Sequence, residues 1–212
     1  MKSASYRTIV DHYERCLARH GDSHLGVDWP NPKDAERRYG VMLDVVREWK
    51  PGLTLLDFGC GASHLYPYMK QRSPDLHYHG LDISPAFCAL SKSKYPENTY
   101  DCLDVLAEPE QLGMFDYAVM NGVFTEKREL DFDEMFRYFA RVLRVVFSKV
   151  RAGVAFNVMS MHVDWERDDL FHVPMDAVAA FLTRELSRHF VIRNDYGLYE
   201  YTVYVYRETA GV

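Results

Sequence analysis

The stretch Leu53-Thr54-Leu55-Leu56-Asp57-Phe58-Gly59-Cys60-Gly61 decides the fold. A short apolar run reads as a buried strand. It ends in an acid and two glycines and then runs toward a helix. Glycine has no Cβ, so this junction can turn tightly and let a ligand approach the backbone closely. A strand, glycine turn and helix in this order shape a crevice suited to a nucleotide.

Outward from that junction, strands and helices alternate. Strands are predicted at 53–58, 77–82, 98–103, 115–121 and 152–159, with helices near 63–72, 85–94, 131–149 and 174–188. The clearest helix is 131–149. Asp131 and Glu134 make a capping box, and Phe132, Met135, Phe136, Phe139, Leu143 and Val146 form one apolar stripe. Such alternation implies parallel strands joined by right-handed crossovers. The tail breaks the rhythm: 189–193 and 199–206 are strand-like, and the five residues between them cannot hold a crossover helix. These two strands are expected to pair antiparallel. Ahead of the core, Tyr6, Ile9, Val10, Tyr13, Cys16 and Leu17 recur at helical spacing as far as Gly21. A second helix begins after Asn31 at Pro32 and carries Ala35, Tyr39, Met42, Val46 and Trp49 on one face. Arg37 and Arg38 on this helix are expected to face solvent. The expected fold is therefore α/β: a Rossmann-like, doubly wound, mostly parallel seven-stranded sheet ending in an antiparallel hairpin, with an N-terminal helical cap. The 212 residues suit a single domain, with 1–50 as cap and 51–207 as core.

Acids recur where the strands end. Asp57 closes the first, and Asp82, roughly 20 residues past the glycines, closes the second, where an acid accepts hydrogen bonds from ribose hydroxyls. Asp104 follows the third, with Asp101 as its rival. Each has a plainer alternative: a tight turn for Gly59 and Gly61, and a helix cap for Asp82, although Ser84 fits that cap better. A nicotinamide dinucleotide site is the competing assignment. Its third glycine is replaced here by His64, and an acid at position 57 repels a pyrophosphate.

The ordered set of Asp57-x-Gly59-x-Gly61, Asp82, Asp104 and terminal hairpin resembles the class I S-adenosylmethionine (SAM) methyltransferases over roughly residues 53–206. The resemblance implies SAM as cofactor. Asp57, Gly59, Cys60 and Gly61 would hold its methionine end, Asp82 the ribose and Asp104 the adenine edge, with Ile83 and Val105 on the adenine faces. Asn121, after the fourth strand, would border the transferring methyl and help orient the acceptor. Gly26-Val27-Asp28-Trp29, Asn121-Gly122-Val123-Phe124, Val154-Ala155-Phe156-Asn157 and Asp195-Tyr196 with Tyr199-Glu200-Tyr201-Thr202-Val203 resemble a bacterial branch of these enzymes with no settled substrate.

Asn121-Gly122-Val123-Phe124 departs from the Asn/Asp-Pro-Pro-aromatic motif of amino-group DNA and protein methylation, and so argues against those substrates. The net charge of −6 likewise disfavours a phosphate backbone, because nonspecific grip on nucleic acid comes from Lys and Arg. A small-molecule acceptor methylated at oxygen or nitrogen is expected. Phe124, Asn157, Tyr196 and Glu200 are its candidate contacts, and His24 to Trp29 are expected to reach the pocket too. His162, in the polar loop after the fifth strand, is the candidate general base. No metal is expected, since His162, Asp164 and Glu166 lack a ligand spacing. The alternative is a non-catalytic SAM- or nucleoside-binding sensor or scaffold. Four cysteines without CxxC spacing, no apolar leader at Met1-Lys2-Ser3-Ala4-Ser5 and no membrane-length apolar run suggest a soluble, cytoplasmic monomer or homodimer.

Overall fold

A computed structural model describes residues 6–209. The opening Met1 to Ser5, read above as free of a leader, and positions 210–212 lie outside the described residues. Two helices, α1 (Tyr6–His20) and α2 (Pro32–Leu43), precede the sheet. Then come β1 (Thr54–Phe58), α3 (Leu65–Arg72), β2 (His77–Asp82), α4 (Pro85–Lys94), β3 (Thr99–Cys102) and β4 (Phe115–Phe124). The chain continues through α5 (Phe132–Ser148), β5 (Val150–Ser160), β6 (His172–Val173), α6 (Met175–Glu185), β7 (Phe190–Arg193) and β8 (Glu200–Tyr206).

The strand order is β3-β2-β1-β4-β5-β8-β7. The first five are mutually parallel, whereas β8 runs antiparallel to both β5 and β7. The strand order therefore reverses between β1 and β4, and ligand crevices in open α/β sheets form at such a switch point. The sheet has eight strands among the described residues, one more than the sequence indicates. The extra strand, β6, is two residues long and pairs parallel with Met159 and Ser160 of β5. So short a segment carries no periodicity to read.

Both sheet faces are covered, which explains the near-continuous burial of β4 and β5. One core joins the stripe of α5 to α6 and the sheet around Phe124, Phe139 and Phe156. The other packs α2 and α3 on the opposite face around Met42, Leu43 and Met69. The capping box of α5 forms as read, with Glu134 N–H donating to Asp131 at 2.7 Å and the Asp131 N–H to Glu134 at 3.2 Å. Phe132 sits at the rim of that stripe, exposed but stacked on Phe136.

Two boundaries shift. Helix α2 stops at Leu43 rather than near Trp49, because Asp44 is drawn to Arg72 (2.5 Å) and Arg193 (2.7 Å) while Val45 and Val46 turn into the core. Strand β4 continues through Asn121-Gly122-Val123-Phe124, which the sequence places after the strand. Register slips between Met120 and Phe124, where Gly122 adopts φ +79°. A bulge of this kind turns side chains toward a site without ending the strand.

Candidate functional site

The glycine turn is held to its neighbour strand by backbone bonds. The N–H groups of Gly59 and Cys60 both donate to the Leu81 carbonyl, at 2.7 and 3.0 Å. Gly59 has φ +69°, and a Cβ there would lie 2.8 Å from a Val123 methyl carbon. Only glycine satisfies both the left-handed backbone and this close approach.

The turn opens into a cavity at the carboxyl ends of β1 to β4, roofed by α1 and by Val27 and Trp29. Asp57, Gly59, Cys60, Gly61, Asp82, Ile83, Asp104, Val105 and Asn121 all line it. One hollow therefore gathers the nine residues assigned to the cofactor from sequence. Asp101, the rival of Asp104, instead faces His79 at 2.7 Å and is absent from the cavity wall.

The three acids differ in environment. Asp57 is 3% exposed, and its Oδ2 accepts from the Tyr78 hydroxyl at 2.7 Å. Burial lifts its carboxyl to about 7 against that hydrogen bond, with Asp82 adding to the rise. Asp82 accepts from the Gly61 N–H (2.9 Å) and the Ser84 N–H (2.9 Å). Burial raises its pKa, while these backbone donors oppose the rise. Ser84 is the N-cap of α4, as the sequence suggests, and its hydroxyl also donates to Glu14 of α1. Asp104 takes the Tyr6 hydroxyl at 2.8 Å and the Leu106 N–H at 3.1 Å. The Tyr6 ring stacks on Tyr138, 5.0 Å away. Thus α1 closes over the acids of β2 and β3. Asn121 presents a different signal: its Oδ1 is buried and lacks a hydrogen-bond partner among the described residues. A buried orphan acceptor at a cavity wall is costly unless a ligand or water supplies a donor.

The proposed acceptor contacts lie behind this wall. Phe124 is fully buried edge-on to Phe139 and Phe156 in the apolar core. Asn157 accepts from the Gly122 N–H at 2.8 Å and donates to Glu200 at 2.9 Å. Tyr196 shares its hydroxyl with Thr202 at 2.9 Å and reaches Glu200 at 3.4 Å. Arg38, expected in solvent, forks onto both Glu200 oxygens at 2.9 Å. Its guanidinium also lies 4.1 Å above the Trp29 ring, and Trp29 lies on Gly122. Asn157, Tyr196 and Glu200 therefore brace the cavity wall, and Phe124 fills the core. His162 lies on the exposed loop after β5, outside the cavity lining, because that loop folds away along Tyr199.

Sequence reasoning missed the tyrosines of the roof and one cluster beside it. His12 Nε2 is 2.7 Å from Asp28 Oδ2, 3.7 Å from Glu126 Oε2 and 3.7 Å from Cys16 Sγ. Tyr13, which lines the cavity, feels the same acids: burial raises its pKa, and Glu126 and Asp28 add to it. Burial also raises the Glu126 carboxyl, with Asp28 contributing. The i, i+4 spacing of His12 and Cys16 on α1 was the one signal in the sequence; Asp28 and Glu126 join only through tertiary contact.

Residues 56–145 match a family model described as a methyltransferase domain. A Mycobacterium tuberculosis protein named as a methyltransferase is 26% identical over 151 residues, covering 70% of this chain and 90% of that protein. Among solved structures, magnesium protoporphyrin IX methyltransferase from Synechocystis with bound SAM aligns at TM-score 0.67 and 16% identity, covering 98% of this chain and 100% of the other. N-methyltransferase NodS from Bradyrhizobium japonicum, in complex with S-adenosyl-L-homocysteine, aligns at TM-score 0.61 and 17% identity, covering 92% and 96%. The acids and glycine turn around the switch-point cavity thus sit within the segment that matches the methyltransferase-domain model, and the chain shares the Rossmann-like fold of these solved class I methyltransferases.

Proposed function

We propose that the chain binds SAM in the cavity and transfers its methyl group to an oxygen or nitrogen of a small molecule. The carrying observation is the convergence of Asp57, Asp82 and Asp104, from the ends of three neighbouring strands, on one hollow. Asp57 offers a buried carboxylate to a positively charged ligand end, and Asp82 accepts from ribose hydroxyls. Asp104, with Ile83 and Val105, meets the adenine. The cradle fits such a ligand: glycine occupies the positions where a Cβ would intrude, and Asn121 Oδ1 awaits a donor.

SAM supplies a methyl group on a sulfonium, and its transfer is an in-line displacement in which positioning provides much of the rate. The chain's part is to exclude water with α1, Val27 and Trp29, and to orient both reactants through Asn121. A general base is needed only when the acceptor arrives protonated. The roof of α1 and the 21–31 loop favours an acceptor small enough to sit beneath it. In this reading residues 1–50 are the cap and 51–207 the core of one cytoplasmic domain, working as monomer or homodimer.

Titration calorimetry tests the cofactor. SAM and S-adenosylhomocysteine should bind and NAD should not; binding of NAD with no heat from SAM overturns the reading. Asp82→Ala should weaken SAM by about tenfold or more, since a charged hydrogen-bond partner is worth roughly 1.5–3 kcal/mol. A sensor or scaffold is the second reading, favoured by the position of His162 outside the cavity. It would bind SAM yet release no S-adenosylhomocysteine across a metabolite panel.

A further inference from the structure

Helix α1 carries His12 and Cys16 one turn apart, both half-buried. Two other segments bring acids to the same point: the 21–31 loop supplies Asp28, and the turn after β4 supplies Glu126. The donor atoms of His12, Cys16 and Asp28 all lie within 4.8 Å of one another. The His12 side chain is 15% exposed and that of Glu126 9%. We propose that His12, Cys16 and Asp28 form a three-donor site for a zinc-like divalent metal that fastens α1 to the 21–31 loop, with Glu126 beside it.

Three observations carry the assignment. The first is spacing. Bonds of about 2.0–2.1 Å to nitrogen, 2.0–2.2 Å to oxygen and 2.3 Å to sulfur put tetrahedral donors roughly 3.3–3.7 Å apart. The separation of His12 Nε2 from Cys16 Sγ is 3.7 Å. Asp28 Oδ2 stands closer, at 2.7 Å, and must withdraw by about 0.6 Å to reach that tetrahedral spacing. Its side chain is 38% exposed and has room to do so.

The second is donor chemistry. One imidazole, one thiol and one carboxylate suit zinc and its neighbours, whereas magnesium and calcium prefer oxygen alone. The third is charge. Two carboxyl groups and a thiol converge on a single imidazole. Arg128, at 3.1 Å from Glu126, is the cation in contact, and it also reaches Asp169 at 3.3 Å. Arg128 therefore keeps Glu126 and Asp169 paired beside the ion. Three protein donors hold the ion, and water takes the fourth tetrahedral position. Tyr13 and Trp29 neighbour these ligands in sequence and line the cavity, so the ion would hold the roof in place.

Cobalt(II) titration of the chelator-treated full chain tests this, with zinc(II) as competitor. One equivalent should give the intense visible bands of tetrahedral cobalt and a thiolate charge-transfer band, both erased by zinc. Cys16→Ser should abolish the charge-transfer band. Asp28→Asn, at a partly exposed loop position, should weaken zinc by more than the roughly 10–100-fold that loss of an outer-shell partner costs. Zinc should raise the melting temperature of the parent chain and leave that of Cys16→Ser unchanged. Absence of tetrahedral cobalt bands overturns the proposal. So does a spectrum that survives Cys16→Ser and vanishes with Cys102→Ser, which would assign it to the exposed Cys102. If Cys16→Ser fails to fold, unchanged zinc affinity in Asp28→Asn overturns it alone. None of these readouts requires SAM or methyl transfer.

Discussion

Replacing Glu200 with alanine removes the anion that three elements share. In the folded chain its side chain is 1% exposed and that of Arg38 13% exposed, so the pair is little screened by water. The substitution leaves the guanidinium without its two-pronged partner and the Asn157 amide N–H without its acceptor. Breaking a buried ion pair from one side costs about 3–5 kcal/mol, because the remaining charge stays desolvated. At roughly 2–4 °C per kcal/mol for a chain of this size, the melting temperature should fall by about 6–20 °C in calorimetry. Glu200→Gln, which still accepts from Arg38, should lose less. The paired change Arg38→Met with Glu200→Leu should recover most of the loss, since apolar replacement of a buried pair is often neutral or better. The wall should loosen as well. Asn157 would be free to release the Gly122 N–H and Arg38 to leave Trp29, so SAM affinity should drop along with stability. A loss below about 1 kcal/mol, the range of exposed ion pairs, would refute the claim that this pair is buried and braces the cavity.

Other outcomes follow from the same geometry. Burial holds the Asp57 carboxyl at about 7, above its ordinary value of 3.8, so the ligand-free folded state binds the extra proton. Stability should therefore decline as pH rises from about 4 to 7, and Asp57→Asn should flatten that slope in urea titrations. A cationic ligand end needs the ionised form, so SAM affinity should rise about tenfold between pH 6 and 8 in the parent chain, and Asp57→Asn should lose that rise. Gly122→Ala places a Cβ 2.8 Å from the Trp29 ring at φ +79°. It should destabilise the fold by about 1–3 kcal/mol, read by denaturant midpoint, and shift Trp fluorescence. His162→Ala should leave turnover within about twofold, whereas Asn121→Ala should lose about tenfold or more in S-adenosylhomocysteine release, consistent with a hydrogen bond of roughly 1.5 kcal/mol to a bound ligand.

The parts of the fold and site that were legible in the sequence are local. The apolar run 53–56, the left-handed glycines at 59 and 61 and the capping box at Asp131 each express a preference of a few adjacent residues. Strand-end acids are legible for the same reason: once strands are located, parallel topology sends their carboxyl ends to one side. The end of α2 was not legible, because Asp44 is captured by Arg72 and Arg193 from distant elements. Nor was the end of β4, where a bulge at Gly122 lets pairing resume at Phe124.

Glu200 and His162 show the limit from opposite sides. On paper Glu200 looks like an acceptor contact, and His162 like a general base in a polar loop. Burial and pairing turn Glu200 into the anchor of Arg38, Asn157 and Tyr196, while the loop carries His162 away from the cavity. From its residues alone, the chain declares an α/β sheet with a glycine turn and acids at its first three strand ends, because backbone freedom and side-chain periodicity act over a few positions. Tertiary structure alone decides which charges meet. The partners of His12 and Arg38 lie up to 162 residues away, and no local preference encodes a contact at that range.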